Sequence, residues 1–308
     1  MAKDKNIFLK TAFLILPIYF IFLLDDFYNF DDHGVFEIID ARSQYLQEFR
    51  NTNSIILGGS NALWGISAAE LNESSGNNFY NLSMHSNGVN YKNYFEYILE
   101  SLKFTPAENI DLIVWSTIHT YLEPPYNDFD RDIAGRLRLS KLIPNQSLLS
   151  KIYKSLSSQE SLQFEVSRQS GDFLFDNFKC PLSDKRYLDD ELIKKISNEK
   201  YDFAPLAQLE DQINMYKFFF KNHFPASKIV FVVPSILNPP NISPDEQKFL
   251  EKIFEDKNFY LFIQEPISDV TSLCESSHHP NSKGRSTRTN EINNFLETNK
   301  LLKSKLYQ

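Results

Sequence analysis

The stretch Ser54-Ile-Ile-Leu-Gly-Gly-Ser-Asn-Ala-Leu-Trp-Gly-Ile66 constrains the fold more than any other part of the chain. Ile55-Ile56-Leu57 is a short apolar run, the length of a buried strand. Gly58-Gly59-Ser60-Asn61 follows, and then a helical segment with Ala68, Ala69 and Leu71 that reaches about Glu73. The pattern reads as strand, tight turn and helix, with Ser60 between the strand's carboxyl end and the helix's amino end. Open parallel sheets place their ligands there. Paired glycines allow a tight turn and close approach to a bound group. The first N–H groups of a helix lack intrahelical acceptors and can hold an anion or an oxyanion. Ser60 is therefore a candidate nucleophile. The competing use of a serine at this point is as an N-cap.

The same alternation continues along the chain. Apolar runs at about Asn78–Met84, Asp111–Thr120, Lys228–Ser235 and Phe259–Gln264 read as strands. Helical spacing covers about Tyr91–Leu102 and Ala207–Asn222. Ser243-Pro244 opens another helix with proline at its first position. A last helix runs from about Arg285. About five strands alternating with helices predict a parallel, three-layer α/β/α sheet. The alternation lapses over residues 121–205. Pro124-Pro125 marks the break, charges of both signs are mixed, and amphipathic pieces such as Leu148–Leu156 appear. This segment reads as an insertion over the carboxyl ends of the strands, either a substrate cap or a structural addition.

At the other end, Lys3, Lys5 and Lys10 precede or enter an apolar run from Thr11 to Leu24, which closes on Asp25-Asp26. Counted from Ile7, its length of about 18 residues is the lower limit for crossing a bilayer core. The basic flank predicts a cytoplasmic amino end and an outward-facing remainder. Pro17 is tolerated in a membrane helix. A cleaved signal peptide fits less well, because no small-x-small site follows. A buried soluble helix is the other alternative, though the run is apolar on all sides. The expected organisation is an anchor over 1–26, a connector over 27–53 and an α/β domain over 54–308. With 27 Phe and 15 Tyr the chain is not a disordered one. Its net charge of -8 argues against nucleic acid as a partner.

The carboxyl-terminal stretch is Cys274-Glu-Ser-Ser-His-His-Pro-Asn-Ser-Lys-Gly284. A His-Pro-Asn-x-x-Gly run before a last helix, paired with an early strand–Gly-x-Ser–helix, resembles the SGNH (GDSL-type) esterase and acyltransferase superfamily. The resemblance spans about Ser54 to Leu296 without the insertion. It implies Ser60 as nucleophile and His279 as base. The family's acid lies three residues before the histidine, where this chain has Ser276. Glu275 is the first candidate for that role, Asp269 the second, and a backbone carbonyl the third. Gly88 matches the glycine whose N–H lines the family's oxyanion hole. Asn61, on the Ser60 turn, is a further candidate oxyanion or substrate-binding residue. The family's Gly-x-Asn-Asp block after the third strand is missing, and His119 stands in that region as a candidate donor. Superfamily members that act on extracytoplasmic polysaccharides often lack that block.

The remaining polar residues carry less. His85 reads as a rim or packing residue. His278, His279 and Glu275 lack the spacing of helix-borne zinc ligands, so no metal or cofactor is expected. Cys180 and Cys274 are either a bridge between the insertion and the base loop or two free thiols. The resemblance implies a membrane-anchored serine esterase or O-acyltransferase, working through an acyl-serine on an extracytoplasmic glycan. The alternative is a non-catalytic SGNH-like module that binds glycan or assists a membrane complex. The partners implied are the membrane, through the first helix, a glycan or acyl-ester substrate, and a possible membrane-complex subunit.

Overall fold

The computed structural model describes residues 38–39, 42, 51–84, 91–103, 105, 107–116, 166–174, 180, 190–199, 205–239 and 241–303. Five strands form one parallel sheet: β1 (Ser54–Gly58), β2 (Phe79–Asn81), β3 (Leu112–Ser116), β4 (Lys228–Val233) and β5 (Phe259–Ile263). Their spatial order is β2-β1-β3-β4-β5. Around them lie α1 (Ser60–Gly65), α2 (Ala68–Ser74), α3 (Tyr91–Ser101), α4 (Asp190–Ser197), α5 (Leu206–His223), α6 (Pro244–Ile253) and α7 (Ser282–Thr298). The predicted anchor over 1–26 lies outside the described residues, as does most of the connector. Among the described residues no helix is long and apolar enough to cross a membrane.

Successive strand residues face opposite sides of a sheet, and both faces are covered here. Ile56, Leu112, Val114, Val230 and Val232 pack with Ala62, Leu71, Ile292 and Leu296 from α1, α2 and α7. Ile55, Leu57, Ile113, Trp115, Ile229 and Phe231 pack with Tyr97, Ile98, Ile213, Phe220 and Leu250 from α3, α5 and α6. Strands buried on both sides explain why their sequences are continuous apolar runs rather than alternating ones. The layers are therefore helices, sheet and helices, as the alternation predicts.

The strand order makes the site. β1 is followed by β2 on one flank, and the chain then crosses back to place β3 on the other. The crossovers leave to opposite faces on either side of β1, so a crevice opens at its carboxyl end. The expected single helix from Ser60 to about Glu73 is two helices. The break at Ile66-Ser67 has a local cause and a remote one. Ser67 N-caps α2, its side chain accepting from the Glu70 N–H. The buried Asp172 carboxylate accepts from the Ala68 and Ala69 N–H groups at 2.8 and 2.9 Å, and from the Ser67 hydroxyl at 3.1 Å. A carboxylate on free helix N–H groups, at the positive end of the dipole, is favourable. The described residues 166–174 of the insertion thus serve as a second cap for α2.

Gly58 ends β1 with φ of 144°, and an added Cβ would lie 1.6 Å from the Ser116 carbonyl oxygen. Only glycine fits. The Tyr94 hydroxyl locks that residue, accepting from the Gly58 N–H at 2.8 Å and donating to its carbonyl at 3.1 Å. Burial pushes the Tyr94 phenol far above its ordinary range, so it stays a donor. Gly58→Ala is expected to destabilise the fold by about 3 kcal/mol or more, from backbone strain and the clash with β3 together. Urea unfolding followed by tryptophan fluorescence measures this. A variant within about 0.5 kcal/mol of wild type, the scatter of surface changes, would contradict it.

Candidate active site

Ser60 is the first residue of α1, directly after the Gly59 N-cap, whose backbone is extended (φ -84°, ψ -161°). The hydroxyl is therefore not spent on capping. Ser60 Oγ lies 2.7 Å from His279 Nε2, although 219 residues separate them in sequence. His279 Nδ1 lies 2.9 Å from Glu275 Oε1. With its proton on Nδ1, the imidazole donates to the Glu275 carboxylate and accepts from the Ser60 hydroxyl. Carboxylate, imidazole and hydroxyl form one continuous hydrogen-bonded chain. Ser60 and His279 are each 6% exposed, while the Glu275 side chain is 39% exposed.

The base loop explains the residues around the histidine. The Cys274 N–H donates to the His279 carbonyl at 2.8 Å, and Leu273 bridges Pro280 in antiparallel fashion. Residues 274–279 are thus a tight closed loop whose first turn carries Glu275 and whose last residue is His279. Asn281 N-caps α7, its side-chain oxygen accepting from the Gly284 N–H at 3.1 Å. Its amide donates to the Thr271 carbonyl at 2.7 Å and the Leu273 carbonyl at 3.2 Å. Gly284 sits so close to the loop that a Cβ would lie 2.3 Å from the Ser272 carbonyl oxygen. The Asn and Gly of the His-Pro-Asn-x-x-Gly run therefore hold the loop on its helix.

Asp269, the second candidate acid, is not at the histidine. It accepts from the Thr271 hydroxyl and N–H at 2.7 and 2.9 Å and pairs with Lys283 at 3.2 Å. The Thr271 hydrogen bonds, helped by Lys283, hold its carboxyl below the usual range. Its role is to cap the short 3₁₀ turn Val270–Ser272. The Asn61 amide donates to the Ser116 hydroxyl at 2.9 Å and is fully buried. It ties α1 to the end of β3 beside Ser60. Gly88, His119 and His85 lie outside the described residues. Among those residues no cluster of His, Cys, Asp or Glu could hold a metal ion.

Several residues at the site went unread in the sequence. Trp64 lies one helical turn after Ser60, and its ring stacks on His279 with centroids 5.0 Å apart and planes 9° apart. Phe173, from the insertion, packs on Trp64 at 4.8 Å. The Ser60–Trp64 spacing of four was the available signal, because residues i and i+4 share a helix face. Phe173 left no signal, since its partner is remote in sequence. Arg42 is fully buried. It donates to the carbonyls of Ser83 and Gly171, at 2.6 and 3.1 Å, and to the Tyr97 hydroxyl at 3.2 Å. It pins the end of β2 to residues 166–174. Arg288 is buried against Gly65 and Pro280 and donates to the His278 carbonyl at 3.3 Å. Burial pushes its guanidinium down from its ordinary value, but a guanidinium keeps its proton, so a positive charge sits behind the base loop.

Cys180 and Cys274 are joined in a disulfide. Cys274 precedes Glu275, so the bridge fastens the insertion to the loop that carries Glu275 and His279. The helix α4 packs Ile196 on Leu273, a second contact between insertion and loop.

By sequence, no protein family and no curated protein matches the chain. Among solved structures it is similar to an acetyl xylan esterase (Est2A) from the rumen bacterium Butyrivibrio proteoclasticus. The identity is 9% and the TM-score 0.40, over 80% of this chain and 64% of that one. The chain thus spans less than two thirds of that esterase, and a likeness at this level fixes neither fold nor substrate.

Replacing Cys180 and Cys274 together by serine is expected to cost about 2–4 kcal/mol, the usual effect of a native bridge. Thermal unfolding of the full chain with and without reductant measures it. Thiol titration of the unreduced, denatured protein should find no free cysteine. Two titratable thiols, with unchanged unfolding in reductant, would rule the bridge out.

Proposed function

We propose that the chain is a serine esterase or O-acyltransferase of the SGNH type. The observation that carries this reading is the continuous Glu275–His279–Ser60 hydrogen-bonded chain at the carboxyl end of a central parallel strand. A serine hydroxyl is a poor nucleophile until a positioned base takes its proton. Histidine suits that work near neutral pH. Glu275 selects the tautomer with Nδ1 protonated, aims Nε2 at Ser60 and stabilises the imidazolium.

The steps follow from these positions. Ser60 Oγ attacks an ester carbonyl carbon as its proton passes to His279 Nε2. The carbonyl oxygen becomes an oxyanion, and the Ser60 N–H, at the first position of α1, is a donor for it. Gly88 and His119 are the further donors in this proposal. The intermediate collapses, the leaving alkoxide takes the proton from His279, and an acyl-serine remains. Water, or a hydroxyl of an acceptor, then attacks the acyl carbon and gives its proton to His279. The acyl group leaves as acid or as a new ester, and Ser60 recovers its proton.

The substrate class in this proposal is an O-acylated glycan outside the cytoplasm, with the chain held at the membrane by residues 1–26. Two features support the location. The apolar, lysine-flanked start has the length and charge of an anchor. A buried disulfide beside the candidate base belongs to an oxidising compartment.

The test uses the full chain in detergent, with p-nitrophenyl acetate hydrolysis and labelling by a fluorophosphonate. Ser60→Ala should abolish labelling. Ser60→Ala and His279→Ala should each reduce hydrolysis to the residue left by binding and the oxyanion donors, a loss of roughly 10³-fold or more. Glu275→Gln should cost less, on the order of 10²-fold, because water can partly serve the exposed acid position. Folded wild type that is inert to both reagents would sink the enzyme reading and leave a glycan-binding or assembly module.

A further inference from the structure

We propose that Trp64 is a positioning residue for His279, its indole face holding the imidazole parallel and stabilising the imidazolium formed when the Ser60 proton is taken. This rests on the esterase reading of the same site. The geometry has three parts. Ser60 and Trp64 are one turn apart on α1, so the element that presents the nucleophile also presents the ring. The indole and imidazole planes are 9° apart with centroids 5.0 Å apart, within the distance at which an aromatic face attracts a cation. Trp64 is fully buried, and Phe173 packs on it with ring centroids 4.8 Å apart. A desolvated aromatic face acts on a cation more strongly than an exposed one.

The other charged and titratable groups around the imidazole show why such a face is useful. Glu275 lies at Nδ1 and Ser60 at Nε2. The His278 ring meets His279 edge-on at 4.3 Å. The Arg288 guanidinium from α7 holds the His278 carbonyl. Arg285, also from α7, donates to the Phe173 carbonyl behind Trp64 at 2.7 Å. Glu199 accepts from the Ser277 N–H at 3.4 Å. Glu291, also on α7, offsets the Arg288 charge. Glu275, the carboxylate in contact with the imidazole, is partly exposed and so screened by water. The indole face is buried and fixed. It also opposes rotation of the ring away from Ser60, because any tilt would drive the imidazole into the indole.

Fluorination of the indole separates this role from packing. Added fluorines draw electron density from the ring face and change its size little. The chain has two tryptophans, Trp64 and Trp115. Trp115 packs with Tyr94, Phe95, Tyr216 and Phe220 in the core. The full chain is produced with tryptophan, monofluorotryptophan and trifluorotryptophan. The His279 imidazole is titrated by NMR with ¹³C-labelled histidine, its signal assigned by its loss in His279→Asn. The pH dependence of kcat/KM for p-nitrophenyl acetate is measured on the same samples. The series is repeated in Trp64→Phe, where only Trp115 carries fluorine.

A weaker indole face destabilises the imidazolium, so the ring gives up its proton at lower pH. The His279 titration and the acid limb of kcat/KM should both move to lower pH, in step with fluorine number. The total is about half a unit to one unit, a fraction of a buried cation–π contact, since fluorination weakens the face without removing it. The Trp64→Phe series should show no such trend. A titration that stays put across the series, in folded protein, overturns the inference, as does the same trend in Trp64→Phe. Wild type inert to ester and fluorophosphonate, with a fluorine-dependent His279 titration, supports the electrostatic pairing and overturns the esterase reading instead.

Discussion

Everything at this site depends on keeping the His279 imidazole over the Ser60 hydroxyl. The two groups come from opposite ends of the domain and meet at 2.7 Å. One hydrogen bond in an aqueous crevice contributes only about 1 kcal/mol net, too little to order a loop by itself. The surrounding structure supplies the rest. The base loop is closed on itself through Cys274 and His279. Asn281 and Gly284 seat it on α7. The disulfide ties it to the insertion. Trp64 lies flat against the ring that matters. The pairing is thus a consequence of several rigid contacts, each of which would persist without it.

The insertion is more than an appendage. Its described part lays Asp172 on the start of α2, Phe173 on Trp64, and the Gly171 carbonyl on Arg42. The Asn81 N–H of β2 donates to the Ser170 carbonyl at 2.8 Å. An edge strand with unpaired N–H groups is a liability, and this segment covers one end of it. Further along, Cys180 and α4 reach the base loop. The Ser60 helix and the His279 loop are thus braced by the same inserted segment, from two directions. Loss of the insertion would therefore act on the site through position rather than through chemistry.

Much of this was legible in the residues. Continuous apolar runs marked β1, β3 and β4, because strands buried on both faces carry no polar alternation. The Gly-Gly-Ser turn and the His-Pro-Asn-x-x-Gly run marked the two loops of the site, because tight turns and caps demand particular residues: glycine where a Cβ would strike backbone, asparagine where a helix N–H needs an acceptor. The Ser243-Pro244 start of α6 was legible from proline at its first position, and it carries a full capping box with Glu246. The one helix expected after Ser60, reaching about Glu73, is split in two partly for a remote reason: besides the Ser67 cap, Asp172, about 100 residues away, holds the first N–H groups of α2. The choice between Glu275 and Asp269 could not be made from spacing. Asp269 is consumed by Thr271 and Lys283, and only the closed turn of the loop points Glu275 at Nδ1.

By itself, the sequence determined a parallel α/β sheet, the Ser60 turn, the His279 loop and the few residues there able to do proton chemistry. These depend on local rules, namely strand length, turn sterics and helix capping, which act between near neighbours. The tertiary structure alone decided which carboxylate faces the histidine, that Cys180 and Cys274 are bonded, and that Trp64 and Phe173 back the imidazole. Those outcomes depend on contacts between residues far apart in the chain. Their energies come from packing and exclusion of water, which exist only once the sheet has brought the segments together.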